Sequence, residues 1–486
     1  MGSRATVRGS GFRMGRAVGV AVVGLAVMAG LMLWLALALS EPEALQAREG
    51  TLFGTWRILY DTYAPSMAVI LAALAVALVF AALATGVETV VANRYRRATD
   101  RTGTPLAPKI VMAETRGVFH GPVAITVLIP AHNEADRITA TIESLLAQDD
   151  APERIIVVAD NCTDETADLA REAGVEVILS QDNVHKKGGA LNQALAVLLP
   201  GLGENDCVMV MDADTVLDQG YLTEARRRFT DDRALMAVGG LFYGEDGAGL
   251  LGQFQRNEYT RYSRDIRRRR GRVFVLTGTA SVFRSRALRT VADSRGNRIP
   301  GNPGDVYDTA ALTEDNELTL ALKSLGGLMV SPQECTVVTE VMPTWRALWH
   351  QRLRWQRGAL ENLGAYGITP QTTRYWFQQL GIGYGAIALT GYLVLILITA
   401  LALDEWVWYP FWGGLGLLFM AERVIGVWRS DWRAKLVAIT LIPELVYASY
   451  LNVVFLKGVF DILLARQASW SHVVVDADGT TRVAGV

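Results

Sequence analysis

Cysteine is scarce: the 486 residues include only Cys162, Cys207 and Cys335. These stand far apart, with neither the spacing of a zinc site nor the even set of a disulfide framework. Zinc modules and disulfide scaffolds are thereby excluded, and the thiols are expected to be reduced and cytosolic. An excess of one charge is also missing. Lys and Arg number 47 against 49 Asp and Glu, a formal net charge of -2. That balance supplies no basic field for nucleic acid, and no nucleic-acid partner is expected.

Apolar residues, by contrast, make up 51% of the chain, too many for an ordinary soluble enzyme. Residues 1–16 carry Arg4, Arg8, Arg13 and Arg16 with no acid, and Ala17–Leu39 is an uncharged run long enough to cross a bilayer. The positive-inside rule keeps the N-terminus cytoplasmic. A cleaved signal peptide competes with this reading. The run is too long for a signal core, however, and Ser40–Ala47 is a poor cleavage site, so an anchor is preferred. After a loop over 40–65, Ser66–Ala92 reads as a second span, closed by Arg94, Arg96 and Arg97. The expected organisation is a membrane segment over 1–98, a linker over 99–122 and an α/β domain over 123–341. Amphipathic interface helices follow over 342–375, then a membrane region over 376–465 and a tail over 466–486.

Within 123–341, apolar strands alternate with amphipathic helices. Strands are expected at Ala124–Pro130, Arg154–Ala159, Val175–Leu179 and Cys207–Met211, and a further one at Leu235–Leu241. The intervening helices run over Glu134–Ala147, with Asn133 as candidate cap, after Thr163, also a candidate cap, and from Lys186 to Leu199. This order specifies an α/β fold, a doubly wound and mostly parallel sheet with right-handed crossovers. Ligands in such sheets sit beyond the carboxyl ends of the strands. Asp212-Ala213-Asp214 ends the fourth strand there, able to offer oxygens to a divalent cation that neutralises a diphosphate. Taken alone, the tripeptide reads more readily as an acidic turn. Val475-Asp476-Ala477-Asp478-Gly479 repeats it in the tail, where Asp478-Gly479 reads as a hairpin turn without chemistry.

Helices are also expected near Gln219–Phe229 and over Leu250–Arg268. The basic run Arg267–Arg272 reads as a solvated face near anionic lipid in preference to a substrate role. Thr277-Gly278-Thr279-Ala280 is a small-residue turn that lets a ligand approach the backbone. Thr313-Glu314-Asp315 opens a helix, where acids are favoured electrostatically whatever else they do. Trp345–Leu363 suits a helix lying on the membrane surface and contains Gln351-Arg352-Leu353-Arg354-Trp355. Phe377–Leu403 and Phe411–Trp428 read as spans joined by a Trp-rich loop. Leu436–Leu464, interrupted by Pro443, Glu444, Lys457 and Asp461, is either a kinked span or a re-entrant interfacial helix. Glu444 either lines a polar path or pairs with a neighbour.

The ordered set Ile129-Pro130-Ala131-His132-Asn133-Glu134, Asp160, Lys187-Gly188, Asp212-Ala213-Asp214, Thr313-Glu314-Asp315 and Gln351-x-x-Arg354-Trp355 resembles the membrane-embedded family 2 glycosyltransferases. That family includes cellulose, hyaluronan, chitin and poly-N-acetylglucosamine synthases. The resemblance implies a GT-A type domain inserted between transmembrane helices on the cytoplasmic face of a multi-pass cell-membrane protein, acting on a UDP-sugar. By position, Asp160 would contact uracil or ribose and Asp212 the nucleotide, and Asp214 would hold Mg²⁺ or Mn²⁺. Lys187 and Glu314 would belong to the donor site, and Asp315 would be the general base. Gln351, Arg352, Arg354 and Trp355 would serve the pyrophosphate and the acceptor sugar. The sequence departs from the family at Ala159-Asp160-Asn161-Cys162, where Asp-Asp-Gly-Ser is common. No gating-loop motif follows Trp355. Arg466 with Trp470 would form a short lid only if the tail is cytoplasmic.

The function implied is processive, inverting transfer to a β-linked polysaccharide, with membrane lipids and accessory export subunits as partners. Transfer of a single sugar to a lipid or polyprenyl acceptor is the alternative enzyme. An inactive sugar-binding or scaffold subunit is the alternative of another class.

Overall fold

Seven residues from Ile125 to Ala131, all apolar except Thr126, form a strand buried along its whole length, as a parallel strand covered on both faces must be. In the computed structural model it is an inner strand of the main sheet. The model describes residues 118–402 apart from 269, 270 and 272, residues 410–464 and 466, four short strands near the termini, and scattered helical positions between 27 and 83. Most of both expected N-terminal spans lies outside the described residues, as do most of the linker, three of the arginines in the basic run, Trp406 to Tyr409, Trp470 and Asp476 to Gly479.

The chain divides into two units, residues 1–104 with 395–419, and residues 105–394 with 420–486. The first contains an antiparallel hairpin, β1 (Arg48–Leu52) and β2 (Trp56–Tyr60), inside the segment expected to be a plain loop. Aromatic and β-branched residues in Trp56-Arg-Ile-Leu-Tyr60 favour the extended backbone.

The second unit is built on a mixed, mostly parallel sheet. Its strands are β3 (Ile125–Ala131), β4 (Arg154–Ala159), β5 (Glu176–Leu179), β6 (Cys207–Met211), β8 (Leu235–Gly239), β10 (Ala280–Arg284) and β11 (Leu328–Val330), in the spatial order β11-β8-β10-β6-β3-β4-β5. Only β10 runs antiparallel to its neighbours. β7 (Val216–Leu217), β9 (Leu241–Gly244) and β12 (Thr336–Thr339) make a small second sheet. The strand expected over Leu235–Leu241 is therefore two strands in two sheets, changing over at Gly240, where a Cβ would stand 3.0 Å from the Ala280 carbonyl.

Helices cover both faces. On one side α1 (Ile138–Leu146), α2 (Thr166–Glu172) and α4 (Tyr221–Asp231) bury Ile138, Ile142, Ala170, Leu222 and Phe229. On the other, α3 (Lys186–Leu198), α6 (Ser285–Ser294) and α7 (Glu314–Ser324) bury Leu191, Leu195, Leu288 and Leu322. Each fully buried aliphatic side chain contributes about 1.5–3 kcal/mol. The two expected caps are not used. Helix α1 starts at Ile138, and Asn133 Oδ1 instead accepts the Thr163 amide at 2.7 Å. Helix α2 starts at Thr166, whose amide donates to Asp164 Oδ1.

After α5 (Gly249–Arg268) the long helices are α8 (Trp345–Tyr366), α9 (Thr373–Ala402), α10 (Pro410–Gly426), α11 (Trp432–Thr440) and α12 (Ile442–Leu463). The interrupted apolar stretch is thus two helices broken at Leu441, which takes φ +52 just before Pro443. Among the described residues, α12 is the one helix long and apolar enough to cross a membrane. It lies along α8. Tyr450 Oη donates to the Trp345 carbonyl, Gly458 packs on Leu353 and Arg357, and the Arg466 carbonyl accepts from Arg357. Glu444 is paired, accepting from Arg261 at 2.9 Å and Asn257 at 3.3 Å, with Arg423 at 3.4 Å. In the tail, β13 (Ser471–Val475) and β14 (Thr481–Gly485) form the expected hairpin.

One ion pair is fully enclosed. Arg295 donates to Glu317 Oε2 at 2.8 Å and to the Pro300 carbonyl at 2.7 Å, while Tyr366 also donates to Glu317. The side chains of Arg295 and Glu317 are 0% and 2% exposed. Breaking such a pair from one side strands a buried charge at a cost of about 3–5 kcal/mol. Arg295→Met and Glu317→Gln are therefore each expected to lower the melting temperature of the detergent-solubilised full-length protein, because each strands the partner's charge, and the double variant is expected to lose less than the sum of the two. Additive losses would count against an isolated buried charge as the cause.

Candidate active site

The spatial order β5-β4-β3-β6 reverses direction between β3 and β6, so a crevice opens beyond their carboxyl ends. Asp160 ends β4 and Asp212 follows β6 directly. Because β10 is antiparallel, its start lies at the same edge: Ala280 pairs with Met211, and the Asp212 amide donates to the Thr279 carbonyl at 3.1 Å. The turn Thr277-Gly278-Thr279 thereby arrives beside Asp212. Gly278 is confined, since a Cβ there would lie 3.3 Å from Lys187 Nζ, 3.4 Å from Asp212 Oδ2 and 3.6 Å from Asp315 Oδ2.

Lys187, in the first turn of α3, joins the two acidic segments. Its Nζ is 2.5 Å from Asp212 Oδ1 and 3.1 Å from Glu314 Oε1. Asp315 Oδ1 accepts the Asn316 amide at 2.7 Å and Oδ2 the Gly278 amide at 3.2 Å. A small recess behind Gly278 is lined by Lys187, Tyr307, Glu314 and Asp315. Burial works against ionisation of both carboxyls, but the outcomes differ. For Glu314 the Lys187 ammonium, with Arg354 beyond it, outweighs burial and holds the carboxyl below its ordinary range. Asp315 is pushed up to about 6 by burial and by the neighbouring Glu314 charge. The pair therefore splits into one firmly ionised acid and one that exchanges its proton near neutrality.

Asp160 accepts from Ser180 at 2.7 Å and Asn183 at 2.8 Å. The Asn183 amide also donates to the Lys186 carbonyl at 2.7 Å, coupling Asp160 to the lysine turn. Asp214 faces a second acidic group. Burial, with Asp212, Glu340 and Glu134 nearby, pushes its carboxyl well above the ordinary range. Burial and then Glu340 push Glu134 up to about 7. Arg137 meets this group through Glu245 at 3.1 Å and Glu340 at 3.6 Å. Glu134 stood in the opening motif without a role, and Glu340 carried no local signal. Buried carboxylates repelling one another suit a hard divalent cation with oxygen ligands. Among the described residues no three His, Cys, Asp or Glu side chains are arranged to hold a metal. Asp212 and Asp214 would thus supply at most two ligands.

On α8 the residues separate. Arg354 acts electrostatically on Glu314 and on Lys186, so it belongs with the acidic crevice. Arg352 is 4% exposed and turns the other way, donating to Glu258 at 3.0 Å. Its guanidinium also stacks on Trp355 at 4.3 Å. Gln351 Oε1 is buried with no hydrogen-bond partner among the described residues. Past the end of α12, the Arg466 carbonyl accepts from Arg357 on this helix.

Residues 122–358 match the family described as "Glycosyltransferase like family 2". The poly-beta-1,6-N-acetyl-D-glucosamine synthase of Staphylococcus aureus (strain MSSA476) is 28% identical over 246 residues, covering 49% of this chain and 55% of that protein. The synthase of the same name from Staphylococcus epidermidis is 25% identical over 292 residues, covering 58% and 66%. The chain thus spans little more than half the length of the Staphylococcus aureus relatives. Among solved structures, a mannosyltransferase from Pyrobaculum calidifontis in complex with GDP-Man and Mn²⁺ aligns with TM-score 0.49 and 17% identity, over 81% of this chain and 99% of that one.

Lys187 is expected to be thermodynamically coupled to Glu314. Lys187→Met should lower the melting temperature by stranding two carboxylates, and adding Glu314→Gln should recover part of the loss. The coupling energy expected for such a contact pair is about 0.5–3 kcal/mol. Additive single effects would show that the observed contact carries no stabilisation.

Proposed function

Residues 122–358 are a glycosyltransferase family 2 domain, and on that premise we propose that the chain is an inverting membrane glycosyltransferase extending a β-linked polysaccharide from a UDP-sugar. The observation that carries the reading is the meeting of Asp315, Gly278, Lys187 and Asp212 at one edge of the sheet. An acceptor hydroxyl needs a base on one side of the anomeric carbon, and the departing diphosphate needs cations on the other. Asp315, poised near neutrality, takes the hydroxyl proton as the new carbon–oxygen bond forms. The bond from the anomeric carbon to the diphosphate oxygen breaks with its electron pair going to the diphosphate. Lys187 and Arg354 meet that charge. A Mg²⁺ or Mn²⁺ ion held by Asp214, with Asp212 beside it, would add Lewis-acid neutralisation of the diphosphate. Asp160 would contact the uracil or ribose, a role supported by its position just after β4. The unmet Gln351 Oε1 offers an acceptor for a sugar hydroxyl, and the exposed part of Trp355 a face for a sugar ring. Arg352 serves these residues by bracing Trp355 from behind.

In this reading the domain lies on the cytoplasmic face of a cell membrane, with the two N-terminal runs, α9 and α10 as spans. Helix α12 is long and apolar enough to cross, but its contacts along α8 lead us to take it as interfacial, which would leave the tail on the catalytic side. The growing polysaccharide is the acceptor, membrane lipids surround the helices, and accessory export subunits would dock from the membrane region.

The purified full-length protein, supplied with radiolabelled UDP-sugars and Mg²⁺ or Mn²⁺, is expected to release UDP and form products of many sugars. UDP-N-acetylglucosamine is the first donor to test, given the names of the relatives. Products carrying one sugar on lipid would overturn processivity, and absence of UDP release with every donor would overturn the enzyme. Asp315→Asn should cost at least about 100-fold in turnover with UDP binding kept. A base works only when deprotonated, so turnover should rise with pH through about 6 and level off above it. A flat profile across that range would remove Asp315 as the base.

A further inference from the structure

Arg354, Gly358, Asn362 and Tyr366 are spaced four apart on α8 and form one stripe along the helix. Every member of that stripe acts on the first turn of α7. Arg354 acts on the Glu314 charge and Tyr366 donates to Glu317. Gly358 lies so close that a Cβ would meet Thr313 Oγ1 at 2.5 Å and Thr313 Cγ2 at 2.8 Å. Asn362, 4% exposed, points its Nδ2 at three oxygens: the Thr313 carbonyl at 3.1 Å, Thr313 Oγ1 at 3.2 Å and Asn316 Oδ1 at 3.0 Å. Thr313 is the N-cap of α7, yet its hydroxyl makes no cap bond within that helix. A capping threonine ordinarily spends its oxygen on its own helix. Here the oxygen is turned outward to Asn362.

We propose that Asn362 is a positioning residue that fixes the register between the helix carrying Arg354 and Trp355 and the turn carrying Glu314 and Asp315. The inference rests on the glycosyltransferase reading. Asp315 and Arg354 would act on opposite sides of one reacting carbon, and they sit on different helices, so their separation is set only where those helices touch. Gly358 allows the close approach, and Asn362 selects one axial position within it, because sliding α8 by a single residue moves the amide about 1.5 Å along the axis. Neither side chain is required to touch the donor. Loss of the lock should therefore appear in the chemical step and spare donor binding.

Two variants test this in the full-length protein. Asn362→Leu keeps the volume and removes the hydrogen bonds. Gly358→Ala, which in an ordinary helix interior is stabilising, adds a methyl group against Thr313. Each is expected to lower kcat by roughly 10- to 100-fold, with the donor KM changed by less than about twofold and UDP binding retained. The acid limb of the pH profile should also shift, because Asn316 adjoins Asp315. Hydrogen exchange of the Glu314 to Thr319 amides reads the lock without turnover and is expected to quicken in both variants while the central strands stay protected. Unchanged kcat with unchanged exchange would overturn the proposal, as would equal losses in kcat and donor affinity. If the unmodified protein turned over no donor, the glycosyltransferase reading would fall, and the exchange measurement alone would still decide whether Asn362 holds the two helices in register.

Discussion

Several carboxylates are gathered at one edge of the sheet, and their mutual repulsion is the constraint under which this part of the molecule is built. Lys187 is the principal relief. By standing 2.5 Å from Asp212 and 3.1 Å from Glu314 it ties the turn after β6 to the start of α7. It also decides which acid stays ionised, since Glu314 lies in its field and Asp315 in the field of Glu314. The acids around Asp214 have no comparable cation. Arg137 reaches Glu340 and Glu245 but leaves Asp214 and Glu134 pushed towards protonation. One half of the crevice is balanced by Lys187, while among the described residues the carboxyls of the other half are held towards their neutral forms.

The crevice needs rigid support because its parts come from distant segments. Asn183 links Asp160 to the lysine turn, Arg295 holds Glu317 two residues beyond Asp315, and Asn362 fastens α8 to Thr313. These are buried polar contacts, costly if half-satisfied and strongly orienting when complete. Their donors and acceptors are arranged around α7, the helix whose first turn carries the acids. Glu444 does similar work further along the chain, joining α5, α10 and α12.

Much of this was legible in the sequence where a local pattern existed. The strands later seen as β3 to β6 are apolar runs bounded by turn residues, and α3, α5, α7 and α8 begin within a few residues of their expected starts. Asp160, Lys187, Asp212, Glu314 and Asp315 could be named because they fall in an ordered set of motifs that resembles the family 2 glycosyltransferases; their places after strands and at helix starts suit acidic turns and helix ends just as well. Strands of two to four residues, β7, β9 and β12, have too little length to show a period, whereas the missed helix α6 carries a clear helical one, with Ala287, Leu288 and Val291 on its buried face. The caps at Asn133 and Thr163 failed because those side chains bond each other across two loops, a long-range choice that local capping patterns do not record. For the same reason the Glu340 side chain beside Asp214 and the divergence of Arg352 from Arg354 were invisible. On one helix, adjacent letters of a motif face opposite neighbours.

The antiparallel strand β10 has a consequence for how such a protein can fail. Hydrogen bonding along a strand repeats every two residues, and so does the alternation of side chains between faces. A slip of β10 by two residues against β6 would leave each apolar side chain on its proper face and the ladder complete. It would also carry Gly278 away from Asp212 by about 6–7 Å. The product would be folded, soluble in detergent and inert. Correct pairing of Ala280 with Met211 is thus a proofreading problem that apolar burial alone cannot solve, and the contacts that a slip would break are the Gly240 amide on the Ala280 carbonyl and, at the far end of β10, the buried Arg284 donating to the Leu235 and Phe229 carbonyls.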